Sequence, residues 1–164
     1  MHGRFIDECP PFELGKARAL MTHEHPDLAV LGYGTMALTA CEAADAIGPD
    51  AKIDVYDARF AKPVDSELVR SLLERNIPIV TLEDHSIKGG FGTAVLGAAH
   101  DMGLDTRNIT SLGLPETWIY QGSRAEQLAE AGLDTDNVVR VLRHVMAGDE
   151  VPMVLTKPMP ATTG

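Results

Sequence analysis

The sequence predicts a three-layer α/β/α domain around a mostly parallel five-stranded sheet. Short, nearly all-apolar runs recur along the chain, as is typical of strands that are buried on both faces. A single helical pattern separates most successive runs, and this alternation favours parallel pairing with helices on both faces of the sheet. The chain has 164 residues, 45% of them hydrophobic and 23% charged, which suits one domain of this kind.

The two ends of the chain differ from the part between them. Residues 1–12 show no periodicity and contain Pro10-Pro11, so we expect an N-terminal arm or linker. Residues 13–148 carry the alternating pattern and form the predicted domain. Residues 149–164 contain three prolines and are expected to form an extended tail.

Five runs are predicted as strands, and turn residues separate them from the helical patterns. The predicted strands are residues 16–20, 28–33, 53–57, 77–82 and 108–112. Helix ends are marked by their capping residues: Asp65 is a predicted N-cap, Ser123 and Glu126 form a capping box, and Asp134 begins the last helix. Gly103 is the expected C-cap of the helix that precedes it.

The charge and the absence of apolar spans exclude several classes of partner. The formal net charge is −10 and the isoelectric point is about 4.9. Nucleic acids and anionic membranes require a surplus of Lys and Arg, so neither is an expected partner. No apolar run approaches the roughly 18 to 20 residues that span a bilayer. The first residues do not resemble a signal peptide, and we expect a cytoplasmic protein.

Two loops follow predicted strands at the edge where open parallel sheets bind ligands. The candidate switch-point loop is Gly32, Tyr33, Gly34 and Thr35. The candidate anion-binding or domain-contact loop contains His85, Lys88, Gly89, Gly90, Phe91 and Gly92. Free N–H groups at a helix start, beside a lysine and a histidine, suit a small anion. The alternative is that the glycines allow a tight turn and close packing, since neither loop matches a nucleotide-binding signature.

Aromatic residues near Pro115 are the best candidates for a contact surface. Trp118, Ile119 and Tyr120 are expected either to anchor a partner or to pack against the last helices. Arg59, two residues after Asp57, is expected to form a salt bridge across a domain face.

The histidines and cysteines give no strong site. His23 and His25 flank Glu24 in a polar turn, where solvated side chains are favoured over weak metal binding. No spacing of His or Cys residues matches a zinc site, so no metal and no catalytic residue is predicted in this chain.

The order of short motifs resembles the C-terminal domain of transketolase-like thiamine-diphosphate enzymes. The similar segments run from Phe12-Glu13-Leu14-Gly15-Lys16 through Asp57-Ala58-Arg59-Phe60-Ala61-Lys62-Pro63-Val64-Asp65 to the closing Ala131-Gly132-Leu133-Asp134. Glu83-Asp84-His85 followed by Gly89-Gly90-Phe91-Gly92 is most similar to the 1-deoxy-D-xylulose-5-phosphate synthase group. The E1 β subunits of 2-oxoacid dehydrogenases share the early motifs but usually lack this histidine and glycine turn.

This resemblance implies a structural or assembly role rather than catalysis by this chain alone. In that family, thiamine diphosphate and magnesium bind in the preceding domains, and this chain lacks the Gly-Asp-Gly plus Asn metal motif. The implied partners are the preceding catalytic domains or subunit of such an enzyme, within a homodimer. The parent would condense pyruvate with glyceraldehyde 3-phosphate in isoprenoid-precursor synthesis. A transketolase or E1 β parent, a stand-alone anion-binding or regulatory module, and an interaction module stay as alternatives.

Overall fold

The computed structural model describes residues 11–149, so most of the expected arm and the tail from residue 150 lie outside the described residues. The described range holds five strands and five helices. The strands are β1 (Arg18–Met21), β2 (Leu28–Gly32), β3 (Ile53–Asp57), β4 (Ile79–Ser86) and β5 (Ile109–Leu114). The helices are α1 (Met36–Ile47), α2 (Ser66–Glu74), α3 (Phe91–Asp101), α4 (Arg124–Glu130) and α5 (Thr135–Ala147).

The strands form one sheet in the order β1-β3-β2-β4-β5. β1 pairs with β3 in the antiparallel direction, and the other three pairings are parallel. All five residues of the central strand β2 are buried, as its continuous apolar run predicts. The chain passes from β2 to β3 on one side and then crosses to β4 on the other. The strand order therefore reverses between β2 and β4, and their carboxyl ends flank a switch point.

Helices cover both faces of the sheet, which confirms the three-layer α/β/α prediction. On one face α1 and α5 pack on Leu28, Val30 and the alternate residues of neighbouring strands. On the other face α2 and α3 pack on Ala29, Leu31 and Ile79. Successive side chains of a strand point to opposite faces, so one apolar run supplies both cores.

The largest difference from the predicted elements is the length of β4. The sequence predicts a strand that ends at Leu82, whereas β4 continues to Ser86 and brings Glu83, Asp84 and His85 into the strand. The register with β5 is irregular between Leu82 and Ser86. Such an irregularity bends a strand without ending its pairing, so a polar stretch that reads as a loop remains in the sheet.

The predicted caps agree with the structure at most helix ends. The Asp65 carboxylate accepts a hydrogen bond from Leu68 N at 3.1 Å, and the Ser123–Glu126 capping box is formed. The C-cap of α3 is Met102, one residue before the predicted Gly103, and Gly103 follows it with a φ of +70°. Asp134 is the N-cap of α5, but its side chain makes no capping hydrogen bond.

Candidate functional site

The two predicted loops meet at the switch point because β2 and β4 are adjacent parallel strands. Tyr33 stacks on Phe91 with ring centroids 5.4 Å apart, and its ring lies 5.7 Å from that of His85. Phe91 is buried and is the first residue of α3, whereas the His85 side chain is 63% exposed. The aromatic contacts thus join the start of α3 to the loop that begins α1.

A buried carboxylate already occupies the N-terminus of α3. Glu83 is 1% exposed, and its two carboxylate oxygens accept hydrogen bonds from Phe91 N at 2.6 Å and Gly92 N at 2.8 Å. A negative charge at this position satisfies amide groups that have no partner within the helix. The N–H groups that would hold an external anion are therefore used by a side chain of the same domain.

Two glycines of the turn are required by this close packing. A Cβ atom at Gly90 would lie 2.7 Å from the Glu83 carboxyl carbon and closer still to the Ser86 carbonyl oxygen. A Cβ atom at Gly92 would lie 2.7 Å from the hydroxyl oxygens of both Thr81 and Ser111. Glycine allows the helix to approach the sheet closely at both positions.

The remaining charged group of the turn is also paired. The Lys88 ammonium group forms an ion pair with the Glu116 carboxylate, which lies in the loop after β5. Gly89 has a φ of +78°, and its N–H donates to Thr93 Oγ1 at 3.0 Å. These contacts tie the glycine turn to the neighbouring loop.

A polar network that the sequence analysis missed extends from the same edge. Arg124 at the start of α4 donates from Nη2 to Thr35 Oγ1 at 2.7 Å and to Asp84 Oδ2 at 2.6 Å. It thereby connects the loop after β2, the end of β4 and α4. Neither Asp84 nor Arg124 has a spacing in the sequence that would have paired them, because they are 40 residues apart.

The aromatic residues after β5 divide between surface and core. Trp118 is 81% exposed and Tyr120 is 52% exposed, whereas Ile119 packs against the apolar core beneath α1 and α5. Because Glu116 pairs with Lys88, this loop lies next to the glycine turn. We call the exposed side chains of Trp118, Tyr120 and Lys88 the aromatic patch.

Arg59 lies elsewhere, at the end of β3, with β2 and β4 between it and β5. Its guanidinium carbon is 4.5 Å from the centre of the Phe12 ring, and Nη1 donates to the Pro11 carbonyl oxygen at 3.2 Å. Its backbone adopts a φ of +59°, and its N–H donates to Asp57 Oδ1. Arg59 thus contacts the segment that enters the domain.

The described residues contain no group of three or more His, Cys, Asp or Glu side chains that could hold a metal ion. His23 Nδ1 lies 3.2 Å from Asp54 Oδ1, and His25 Nε2 lies 3.9 Å from Glu24. Cys41 is buried, whereas Cys9 lies outside the described residues. Within residues 11–149, no helix is long and apolar enough to span a membrane.

With this geometry established, comparison with known proteins identifies the family. The family model described as transketolase, C-terminal domain, matches residues 15–138. The chain belongs to the transketolase C-terminal domain family. The resemblance inferred from the short motifs is thereby confirmed over most of the chain.

Curated relatives place the chain within one branch of this family. It is 44% identical over 117 residues to the 1-deoxy-D-xylulose-5-phosphate synthase of Geobacillus sp. (strain WCH70), covering 71% of this chain and 19% of the relative. It is 34% identical over 149 residues to 1-deoxy-D-xylulose-5-phosphate synthase 1 of Geobacter metallireducens, covering 90% of this chain and 24% of the relative. The chain therefore spans about a fifth to a quarter of the length of these relatives.

Solved structures agree with the fold. A split-gene transketolase, described as an inactive "beta4 tetramer" (a subunit formula, unrelated to strand β4), superposes with a TM-score of 0.69. It is 26% identical, and the match covers 85% of this chain and 45% of that one. Transketolase from Leishmania mexicana superposes with a TM-score of 0.60 at 15% identity, covering 88% of this chain and 20% of that one. The second similarity supports the fold alone.

Proposed function

We propose that this chain is the C-terminal assembly domain of a 1-deoxy-D-xylulose-5-phosphate synthase-like enzyme and has no catalytic activity by itself. The observation that carries the proposal is that amide and charged groups at the switch point make their contacts within the domain. The amides of Phe91 and Gly92 bind Glu83, and Lys88 binds Glu116, so these groups hold the domain together. The exposed apolar surface of Trp118 and Tyr120 beside them suits a protein contact.

The proposed parent enzyme condenses pyruvate with glyceraldehyde 3-phosphate and releases carbon dioxide. Thiamine diphosphate and magnesium would bind in the preceding domains, where the cofactor stabilises the carbanion formed from pyruvate. The residues of this chain would orient those domains and contribute to the dimer. We place this enzyme in the cytoplasm and its product in isoprenoid-precursor synthesis.

Self-association through the aromatic patch is part of this proposal. The related split-gene transketolase chain is described as an inactive tetramer, so in that protein such a chain assembles without activity. We propose that the present chain also self-associates, in this case as a homodimer, and separately contacts the catalytic domains. The contact of Arg59 with Pro11 and Phe12 would fix the direction in which the preceding chain enters.

A domain replacement tests the assembly role. The C-terminal fifth of the Geobacillus relative is exchanged for this chain, and carbon dioxide release from pyruvate is measured with and without glyceraldehyde 3-phosphate. We expect the chimaera to recover activity that the truncated relative lacks, and the variant with Trp118→Ala to recover less. A folded chimaera that is no more active than the truncated protein would contradict the proposal.

Calorimetric titration of the chain alone tests its lack of catalytic function. We expect no binding of thiamine diphosphate in the presence of magnesium. Micromolar affinity would show that this domain carries a cofactor site of its own.

A further inference from the structure

The exposed large apolar side chains of residues 11–149 all lie at one edge of the sheet. This is the carboxyl edge, where the parallel strands β2 to β5 end and where β1 begins, because β1 runs antiparallel to β3. Two of these residues precede β1, one lies in the first turn of α1, and two follow β5: Phe12, Leu14, Leu38, Trp118 and Tyr120. Apolar side chains that gather on one side of a soluble domain indicate a contact with another protein surface.

The segment that enters the domain holds the first two of these side chains in place. Phe12 is 69% exposed and Leu14 is 72% exposed. The Phe12 ring lies edge-on to the Phe60 ring, with centroids 6.0 Å apart, and the Arg59 guanidinium group lies over its face. These contacts position the Phe12 ring but leave most of its surface in solvent. We call the side chains of Phe12, Leu14 and Phe60 the entry cluster.

Hydrogen bonds fix the backbone on both sides of Leu14. The N–H of Lys16 donates to the Glu13 carbonyl oxygen at 3.1 Å, which closes a turn around Leu14. The next N–H, that of Ala17, donates to the Asp65 carboxylate at 3.0 Å and ties the turn to the start of α2. A flexible linker would sample many conformations and make no such set of contacts. The entry segment is therefore part of the domain, although its apolar side chains point out of it.

An ordered but exposed apolar cluster gains little in the domain alone and much in a docked one. Apolar side chains stabilise a protein when they leave water, and the surfaces of Phe12 and Leu14 remain largely in water. A surface that is already ordered loses little conformational entropy when a partner covers it. The entry cluster thus has the properties of a preorganised docking surface.

The direction of the chain and the length of the relatives indicate which partner covers the cluster. The family model describes a C-terminal domain, and the chain covers only 19% of the Geobacillus relative and 24% of the Geobacter relative. In such an enzyme the remaining sequence is joined to this domain through the entry segment, directly beside the cluster. The aromatic patch follows β5, with β2 and β4 between β5 and β3, so it lies at the far end of the same edge.

We infer that the entry cluster is the docking surface for the domain that precedes this one in the same polypeptide, and that the two domains are joined rigidly. The inference rests on the proposed function, because it treats the chain as the C-terminal part of a longer enzyme. The carboxyl edge then faces the catalytic domains, and the opposite edge faces away from them. The aromatic patch stays available for a second copy of the chain.

Hydrogen–deuterium exchange tests the docking surface by comparing the free chain with its chimaera with the Geobacillus relative. We expect the amides of residues 12–15 to exchange at least about tenfold more slowly in the chimaera, because a docked domain excludes water from them. Residues 48–52, at the opposite edge, should exchange at the same rate in both proteins. A folded chimaera without added protection at residues 12–15 would overturn the inference.

Substitutions in the chimaera locate the contact. Phe12→Ser combined with Leu14→Ser should remove most of the added protection, because both substitutions remove apolar surface that the partner covers. Leu38→Ser is the matched control, since Leu38 is an exposed leucine of the same edge that lies in α1, outside the entry cluster. It should leave the protection unchanged. Full protection in a folded chimaera with both serines, or an equal loss with Leu38→Ser, would contradict the assignment.

A second measurement does not require the chimaera to fold. The free chain is mixed with an excess of the truncated Geobacillus relative, and exchange at residues 12–15 should slow by about threefold or more. Unchanged exchange in this mixture would count against the inference. Slowing that depends on the concentration of the free chain alone would overturn it, because a second copy would then cover the cluster.

Carbon dioxide release by the chimaera separates this inference from the proposed function. A chimaera that is protected at residues 12–15 but inactive would contradict the assembly role and leave the docking surface in place. An active chimaera without that protection would have the opposite meaning.

Discussion

Glu83 should contribute more to the stability of this domain than its position in a polar stretch of sequence suggests. The substitution Glu83→Gln keeps the volume of the side chain but leaves one carbonyl oxygen to accept hydrogen bonds. The amide group of glutamine would then face the N–H of Phe91 or Gly92, donor against donor, in a site that is 1% exposed. A charge-assisted hydrogen bond contributes about 1.5–3 kcal/mol, and a buried N–H without a partner costs about 1–3 kcal/mol.

Relief of carboxylate burial offsets part of this loss, so we expect Glu83→Gln to lower the free energy of unfolding by about 2–3 kcal/mol. For a chain of this size, that corresponds to a decrease in Tm of about 5–10 °C. Urea unfolding followed by circular dichroism measures the change. The slope of the unfolding free energy against urea concentration should stay the same if the denatured state is unaffected.

Glu126→Gln is the matched control because it makes the same substitution at another helix N-terminus. Glu126 accepts from Ser123 N at 2.8 Å in an exposed capping box, and this hydrogen bond lowers the pKa of its carboxyl group. Glutamine is also a normal residue at this position of a capping box, so the cost should be much smaller than that of Glu83→Gln. Equal effects of the two substitutions would refute the reasoning that burial makes Glu83 the stronger cap.

Three further predictions concern other parts of the chain. Gly90→Ala, at the N-cap of α3, should destabilise by about 1 kcal/mol or more, whereas Gly97→Ala within α3, where a Cβ meets no atom within 4 Å, should stabilise by about 0.5–1 kcal/mol; thermal melts of both compare them. Tyr56 should ionise near pH 12 in a phenolate absorbance titration, and Tyr56→Phe should remove this late step. Because its pKa is raised, its stabilising contribution is complete below about pH 10 and is lost as the pH rises towards 12. The free chain should dimerise through the aromatic patch, and more strongly at high salt, because salt screens the net charge of −10. Sedimentation velocity compares the free chain with Trp118→Ala, and a free chain that is monomeric under all conditions would contradict the prediction.

The arrangement of layers could be predicted from the sequence because it depends on local patterns. The run from Leu28 to Gly32 is apolar throughout, and the central strand that it forms is buried on both faces. Asp65 and Ser123 begin helices because their side chains accept from amides three residues ahead. Each of these features depends on residues that are only a few positions apart, so it can be predicted from the sequence alone.

The contacts across the switch point could not be predicted in the same way. Arg124 meets Asp84 only after β4, β5 and the loop between β5 and α4 have been placed. The end of β4 was missed because Glu83, Asp84 and His85 read as a polar loop, whereas pairing with β5 outweighs their low preference for strands.

Glu83 shows how a site prediction changes once the strand is extended. A glycine-rich turn before a helix indicates an anion site when its preceding residues are treated as solvated loop. Once Glu83 lies in β4, strand alternation directs its side chain away from Asp84 and towards the start of α3, where it meets the amides of Phe91 and Gly92. The glycines at positions 90 and 92 then serve to admit the helix to an internal carboxylate. The same sequence pattern thus fits a site for an external anion and a helix N-terminus that is occupied by a carboxylate of the domain itself. Only the register of β4 distinguishes these two arrangements.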